Sequence, residues 1–165
     1  MDSDPNKEPR LKKVTGTWHG TYSYDPVEHI PKREPVPFTL ELKQGWFGRF
    51  TGTVTDHGQH GMPGIGIVKG YFSFPRIKFT KQMPVSYVAT TDGRSITIRE
   101  YLIEQGHTCE RDVPHTPIYY AGEFSSSNRA QGEWIIREGL VPFGNRRAVQ
   151  VPECKGSWSI EVKAV

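Results

Sequence analysis

The 165-residue chain is poor in the features that usually disclose a function. It has only two cysteines, Cys109 and Cys154, and no CxxC spacing, so neither a zinc site nor a dithiol redox centre is indicated. No apolar run approaches the roughly 18 residues of a membrane-spanning helix. Met1 to Lys13 is charged and lacks the apolar centre of a signal peptide, which leads to the expectation of a cytoplasmic protein with reduced thiols. The formal net charge is only +3, too little for a nucleic-acid partner held by clustered cations. The segment Lys69-Gly70-Tyr71-Phe72-Ser73-Phe74 approaches the RNP1 motif, but Phe72 and Ser73 depart from it and the two helices of that fold are missing. No Walker or Rossmann glycine fingerprint occurs, and no cofactor is indicated. Periodicity of 3.6 residues is almost absent, which argues against a helical protein.

What the chain does have is glycine, proline and aromatic residues, a mixture that suits short strands and tight turns. Residues 1–13, with their charges and two prolines, read as a disordered arm, and residues 14–165 read as a single domain. Within the domain, alternation recurs. Phe38, Leu40 and Leu42 oppose Thr39, Glu41 and Lys43; Phe50, Gly52 and Val54 oppose Arg49, Thr51 and Thr53. Trp158, Ile160 and Val162 oppose Ser157, Ser159 and Glu161. Asp92-Gly93 marks a type I′ hairpin between Val85–Thr91 and Ser95–Ile103. An open sheet of this many strands would leave long edges, so the expected fold is all-β: a closed up-and-down antiparallel barrel of about 8 to 10 strands. A two-sheet β-sandwich would show the same alternation and is the alternative.

Three short motifs carry a resemblance. Gly16-Thr17-Trp18-His19-Gly20 resembles the GxW opening strand of calycin-type barrels, the group of lipocalins, fatty-acid-binding proteins and avidins, and is especially similar to the start of nitrobindin-like barrels. Gly132-Glu133-Trp134 and Gly156-Ser157-Trp158 repeat the device. The resemblance implies a lipocalin-like barrel that binds a small apolar or amphipathic ligand, in a family without assigned function. It lacks the two-helix lid of fatty-acid-binding proteins and the terminal helix of lipocalins. The haem-binding histidine of nitrobindin-like barrels lies late in the chain, whereas the last histidine here is His115, so haem is not carried over.

The ligand-lining candidates follow from strand parity. Tyr22, Phe38, Leu40, Phe50, Phe79, Tyr120, Trp134 and Trp158 fall on inward faces and could line a cavity or fill a core, and Trp18 is placed as a plug at one end. Two charges share those faces. Lys81 is in phase with Ile77 and Phe79, and Glu100 is in phase with Ile96 and Ile98 if Ser95–Ile103 is a strand. A lone buried charge costs several kcal/mol, so the two are expected to meet inside the barrel, unless a bulge turns Glu100 away or Lys81 snorkels at a rim. Such a pair could orient a polar head group, or, in a weaker reading, let Glu100 move a proton in an isomerase or cyclase. His57 and His60, near Asp56, are weak metal candidates without a further fixed ligand. The remaining alternative is a filled barrel that binds a protein through its rim loops at Asp25–Pro37 and Arg146-Arg147. Homo-oligomerisation is left open.

Overall fold

The computed structural model describes residues 10–28, 32–89, 95–137, 139–143, 147–151 and 153–162. In chain order the strands are β1 (Gly16–Tyr24), β2 (Val36–Gln44), β3 (Arg49–Asp56), β4 (Ile65–Ser73), β5 (Arg76–Gln82), β6 (Tyr87–Ala89) and β7 (Ser95–Thr97). A short helix α1 (Ile98–Glu104) follows, then β8 (Ile118–Ser126), β9 (Arg129–Ile136), β10 (Gly139–Phe143), β11 (Arg147–Val151) and β12 (Cys154–Val162). Eight strands close into an antiparallel barrel in the order β1-β12-β9-β8-β5-β4-β3-β2. β1 pairs with β2 through Trp18↔Leu40 and with β12 through Trp18↔Val162, so the sheet has no free edge and the sandwich alternative falls.

Each barrel strand follows its chain neighbour except where a hairpin is inserted. β6 and β7 lie between β5 and β8, and β10 and β11 lie between β9 and β12. This meander puts all short turns at one end: β2–β3, β4–β5 and β8–β9. All the long connections gather at the other, the loop end. Asp92-Gly93 lies outside the described residues, but its flanks pair as expected, Tyr87↔Thr97 and Ala89↔Ser95.

Parity read from the sequence matches the interior. Phe38, Leu40 and Leu42 are buried while Glu41 and Lys43 are exposed; Trp158 and Ile160 are buried while Ser157 is exposed. The three GxW indoles all point inward, and each donates Nε1–H to a main-chain carbonyl. Trp18 reaches Val14 at 2.8 Å, Trp134 reaches Ser23 at 3.1 Å and Trp158 reaches Glu133 at 3.0 Å. The glycines of the later two motifs make room for close approach. A Cβ on Gly156 would run into the Trp134 ring, and one on Gly132 would run into the Ala121 main chain on β8.

One expected strand is a helix. Ser95–Ile103 pairs only as far as Thr97 and then turns into α1. Thr97 and Glu100 form a capping box: Glu100 N–H donates to Thr97 Oγ1 at 3.0 Å, and Thr97 N–H donates to Glu100 Oε2 at 3.2 Å. Ile98 and Leu102, four residues apart, bury one helical face against Val113 in a small core of their own. At the opposite end of the chain's order, Leu11, assigned to the arm by sequence, packs against the barrel core.

Candidate functional site

Strand parity carries one acidic residue inward, although in sequence it stands beside the loop histidines His57 and His60. On β3, Phe50, Gly52 and Val54 face in, and Asp56, the last residue, continues that phase. Its carboxylate is completely buried and meets Lys81 from β5, with Nζ 2.6 Å from Oδ1. Tyr22 of β1 donates its hydroxyl to Asp56 Oδ2 at 2.9 Å, and the Met62 N–H, from the β3–β4 connection, donates to the same oxygen at 3.2 Å. Lys81 Nζ also lies 4.5 Å from the Tyr22 ring centroid and 5.8 Å from that of Phe38. Three strands and one connection therefore converge on a single carboxylate at the loop end.

Burial is the main force on the acid–base behaviour here. It lowers the Lys81 pKa, against the pull of Asp56. It drives the Tyr22 phenol far above its ordinary value, and the Asp56 charge pushes the same way, so Tyr22 stays a hydrogen-bond donor. Tyr120 is raised for the same first reason. His115, which leads into β8, is lowered by burial, with the Thr116 carbonyl and Asp56 opposing and Lys81 reinforcing the shift. Its Nδ1 is 2.6 Å from the Thr116 carbonyl, a contact that requires the proton on Nδ1 and leaves Nε2 as the acceptor in the neutral ring. The adjacent Thr116 Oγ1 is buried without a hydrogen-bond partner.

The remaining interior is filled by rings. Phe79 stacks on Tyr120 with centroids 4.7 Å apart, and Trp158 packs on both at 5.5 and 5.9 Å. Phe50 meets Phe79 at 6.2 Å, and Tyr22 meets Trp134 at 6.1 Å. Trp18 packs on Phe124 at the short-turn end and keeps only 1% of its surface exposed. Of the ligand-lining candidates, Tyr22, Phe38, Leu40, Phe50, Phe79, Lys81, Tyr120, Trp134 and Trp158 are all inward and buried, none above 4% exposed. A water-lined lumen would leave these walls accessible, and they are not. Two shallow concavities, of about 220 and 500 Å³, lie on the outer wall of β1, β9 and β12, around Thr21, Arg129 and Ser159.

Glu100 is the correction. It is exposed at the first turn of α1 and spends its carboxylate on the capping box, so it neither reaches Lys81 nor offers a base to the interior. The T-x-x-E spacing from Thr97 was the signal for a helix start. Asp56 takes the place expected of Glu100. The metal candidates also separate: His57 points outward to Thr39 Oγ1 at 2.7 Å, His60 is exposed, and Asp56 points inward. Among the described residues no group of three potential metal ligands occurs. Cys109 and Cys154 are unpaired thiols, both half-buried. Arg146 lies outside the described residues.

Among the described residues, the most exposed large apolar side chains lie at the other end. Trp46 and Phe47, at the β2–β3 turn, are 85% and 89% exposed. Both sit in the tight segment Gly45-Trp46-Phe47-Gly48 that joins the two strands. Comparison with protein-family models, with curated proteins and with solved structures gave no match.

Proposed function

We propose that this chain is a lipocalin-like barrel that binds through its outer surface, with an interior that is structural. One observation carries this reading: the inward positions that would line a ligand cavity are occupied by mutually packed rings. The buried charges support it, because Asp56 already has its counter-charge in Lys81 and accepts from Tyr22 and Met62 as well, so the pair is matched within the protein. Two large aromatic side chains left in water at one turn supply the contrasting surface. Native mass spectrometry of the protein isolated from its own cells tests the reading. The bare chain mass is expected, and a retained small molecule lost on replacing Phe79 or Trp134 would refute it.

A second reading is favoured by the buried, unpartnered Thr116 hydroxyl beside His115. A small polar ligand seated under the loop-end connections would give that hydroxyl its missing partner. Thr116→Val would then abolish ligand binding while sparing the fold.

A further inference from the structure

The β2–β3 turn is built in a way that folding alone does not require. Phe47 has φ of 55° and Gly48 has φ of 76°, the paired positive values of a type I′ turn. Two main-chain bonds close it: Gly45 N–H donates to the Arg49 carbonyl at 2.7 Å, and Arg49 N–H donates to the Trp46 carbonyl. Asparagine is the residue such a turn prefers at its first central position. A bulky aromatic residue there is sterically disfavoured, and at 89% exposure Phe47 recovers almost nothing by packing. Trp46 beside it is equally unsupported by the core. Strain held in a tight, hydrogen-bonded tip, with two aromatics pointing into water, is the mark of a contact surface.

On β2 to β5, the wall nearest the tip carries one sign of charge, and Glu123 of β8 lies in register with Arg76 at its flank. Register places Arg49, Tyr71 and Lys78 side by side on β3, β4 and β5, nearest the turn. The next row holds Lys43, Thr51, Lys69 and Thr80. All four cations are exposed, and none is in an ion pair with another described residue. The nearest carboxylate on these strands is Glu41, one row farther from the tip.

We propose that this end of the barrel docks on an anionic lipid surface, with Trp46 and Phe47 entering the headgroup layer and Arg49, Lys78, Lys43 and Lys69 held against the phosphates. The proposal rests on the reading of a barrel that acts through its exterior. Tryptophan and phenylalanine with flanking cations are the side chains that seat at a bilayer interface. A narrow convex tip fits a deformable layer better than it fits a protein, where anchoring aromatics sit within a broad, flat patch. Membrane-surface attraction acts additively on each nearby cation and decays within a Debye length, so two rows close to the tip are both in range.

The test is co-sedimentation of the full chain with phosphatidylcholine vesicles, with and without phosphatidylserine. Binding is expected only with phosphatidylserine and should fall as salt rises. Trp46→Ser with Phe47→Ser should abolish it, and Lys69→Glu with Lys78→Glu should weaken it by at least about tenfold. Brominated lipid should quench Trp46, since Trp18, Trp134 and Trp158 are buried. Circular dichroism and thermal melts check that both double variants stay folded. No binding to the anionic vesicles, or binding that neither double variant weakens, overturns the lipid proposal. Capture of an acidic soluble protein at the same residues in place of vesicles overturns it too, yet leaves the exterior-acting barrel standing. That broader reading falls only to a molecule retained in the interior.

Discussion

Removing one partner of the buried pair should cost far more than removing both. At 2.6 Å and an effective dielectric near 20, Lys81 and Asp56 attract by about 6 kcal/mol. Desolvating each ion opposes that by several kcal/mol, so the pair is close to neutral for stability taken as a whole. Lys81→Met keeps the side-chain length but leaves the wholly buried Asp56 carboxylate without its counter-charge, with only Tyr22 and Met62 donating to it. The expected loss is about 3 to 5 kcal/mol, which for a domain of this size lowers the melting midpoint by roughly 6 to 20 °C. Asp56→Asn should cost a similar amount, because it strands the ammonium. Combining Lys81→Met with Asp56→Asn should recover most of either loss, since the neutral amide can still accept from Tyr22. Denaturant unfolding of the four proteins, treated as a double-mutant cycle, measures the coupling. Additive losses, or a single variant that melts within a degree of the parent, would show that the pair is not coupled as its geometry requires.

Four further outcomes are expected. Gly156→Ala puts a methyl group into the Trp134 ring and the Ser23 carbonyl, and should destabilise by about 1 to 3 kcal/mol in denaturant titration. Thr97→Ala removes the α1 cap and should cost about 1 kcal/mol, read as faster amide exchange over residues 98–104. Glu100→Gln keeps the capping box and should stay within about 0.5 kcal/mol, whereas a charge buried in the lumen would have responded strongly. His115 has a folded-state pKa below its unfolded value, so below about pH 6.5 the unfolded chain takes up a proton that the folded chain resists. Stability should therefore fall as pH drops through that window toward the folded-state pKa, and His115→Asn should flatten the slope in pH-dependent thermal melts.

The interior of this protein was legible from alternation because a strand's side-chain period is two. Phe38, Leu40, Phe79 and Trp158 needed no further information to be placed inward, and Lys81 came with them. The same rule extended by two residues along β3, from Val54, reaches Asp56, whose neighbours His57 and Gly58 make it look like part of a turn. Glu100 was misplaced because it shares strand parity with Ile96, Ile98 and Leu102, while Ile98 and Leu102 also satisfy a helix. The capping box at Thr97 decides between the two.

By itself, then, the sequence determined the all-β class, the inward set apart from Asp56 and Glu100, and the tight turns, because these depend on contacts within a few residues. Tertiary structure alone decided three things: that β1 closes on β12, that Lys81 meets Asp56 across 25 residues of chain, and that packed rings occupy the lumen. Strand parity says which way a side chain points, but not how far away the opposite wall stands. The number of strands and their register fix that distance, and with it whether the inward residues enclose a space or fill it.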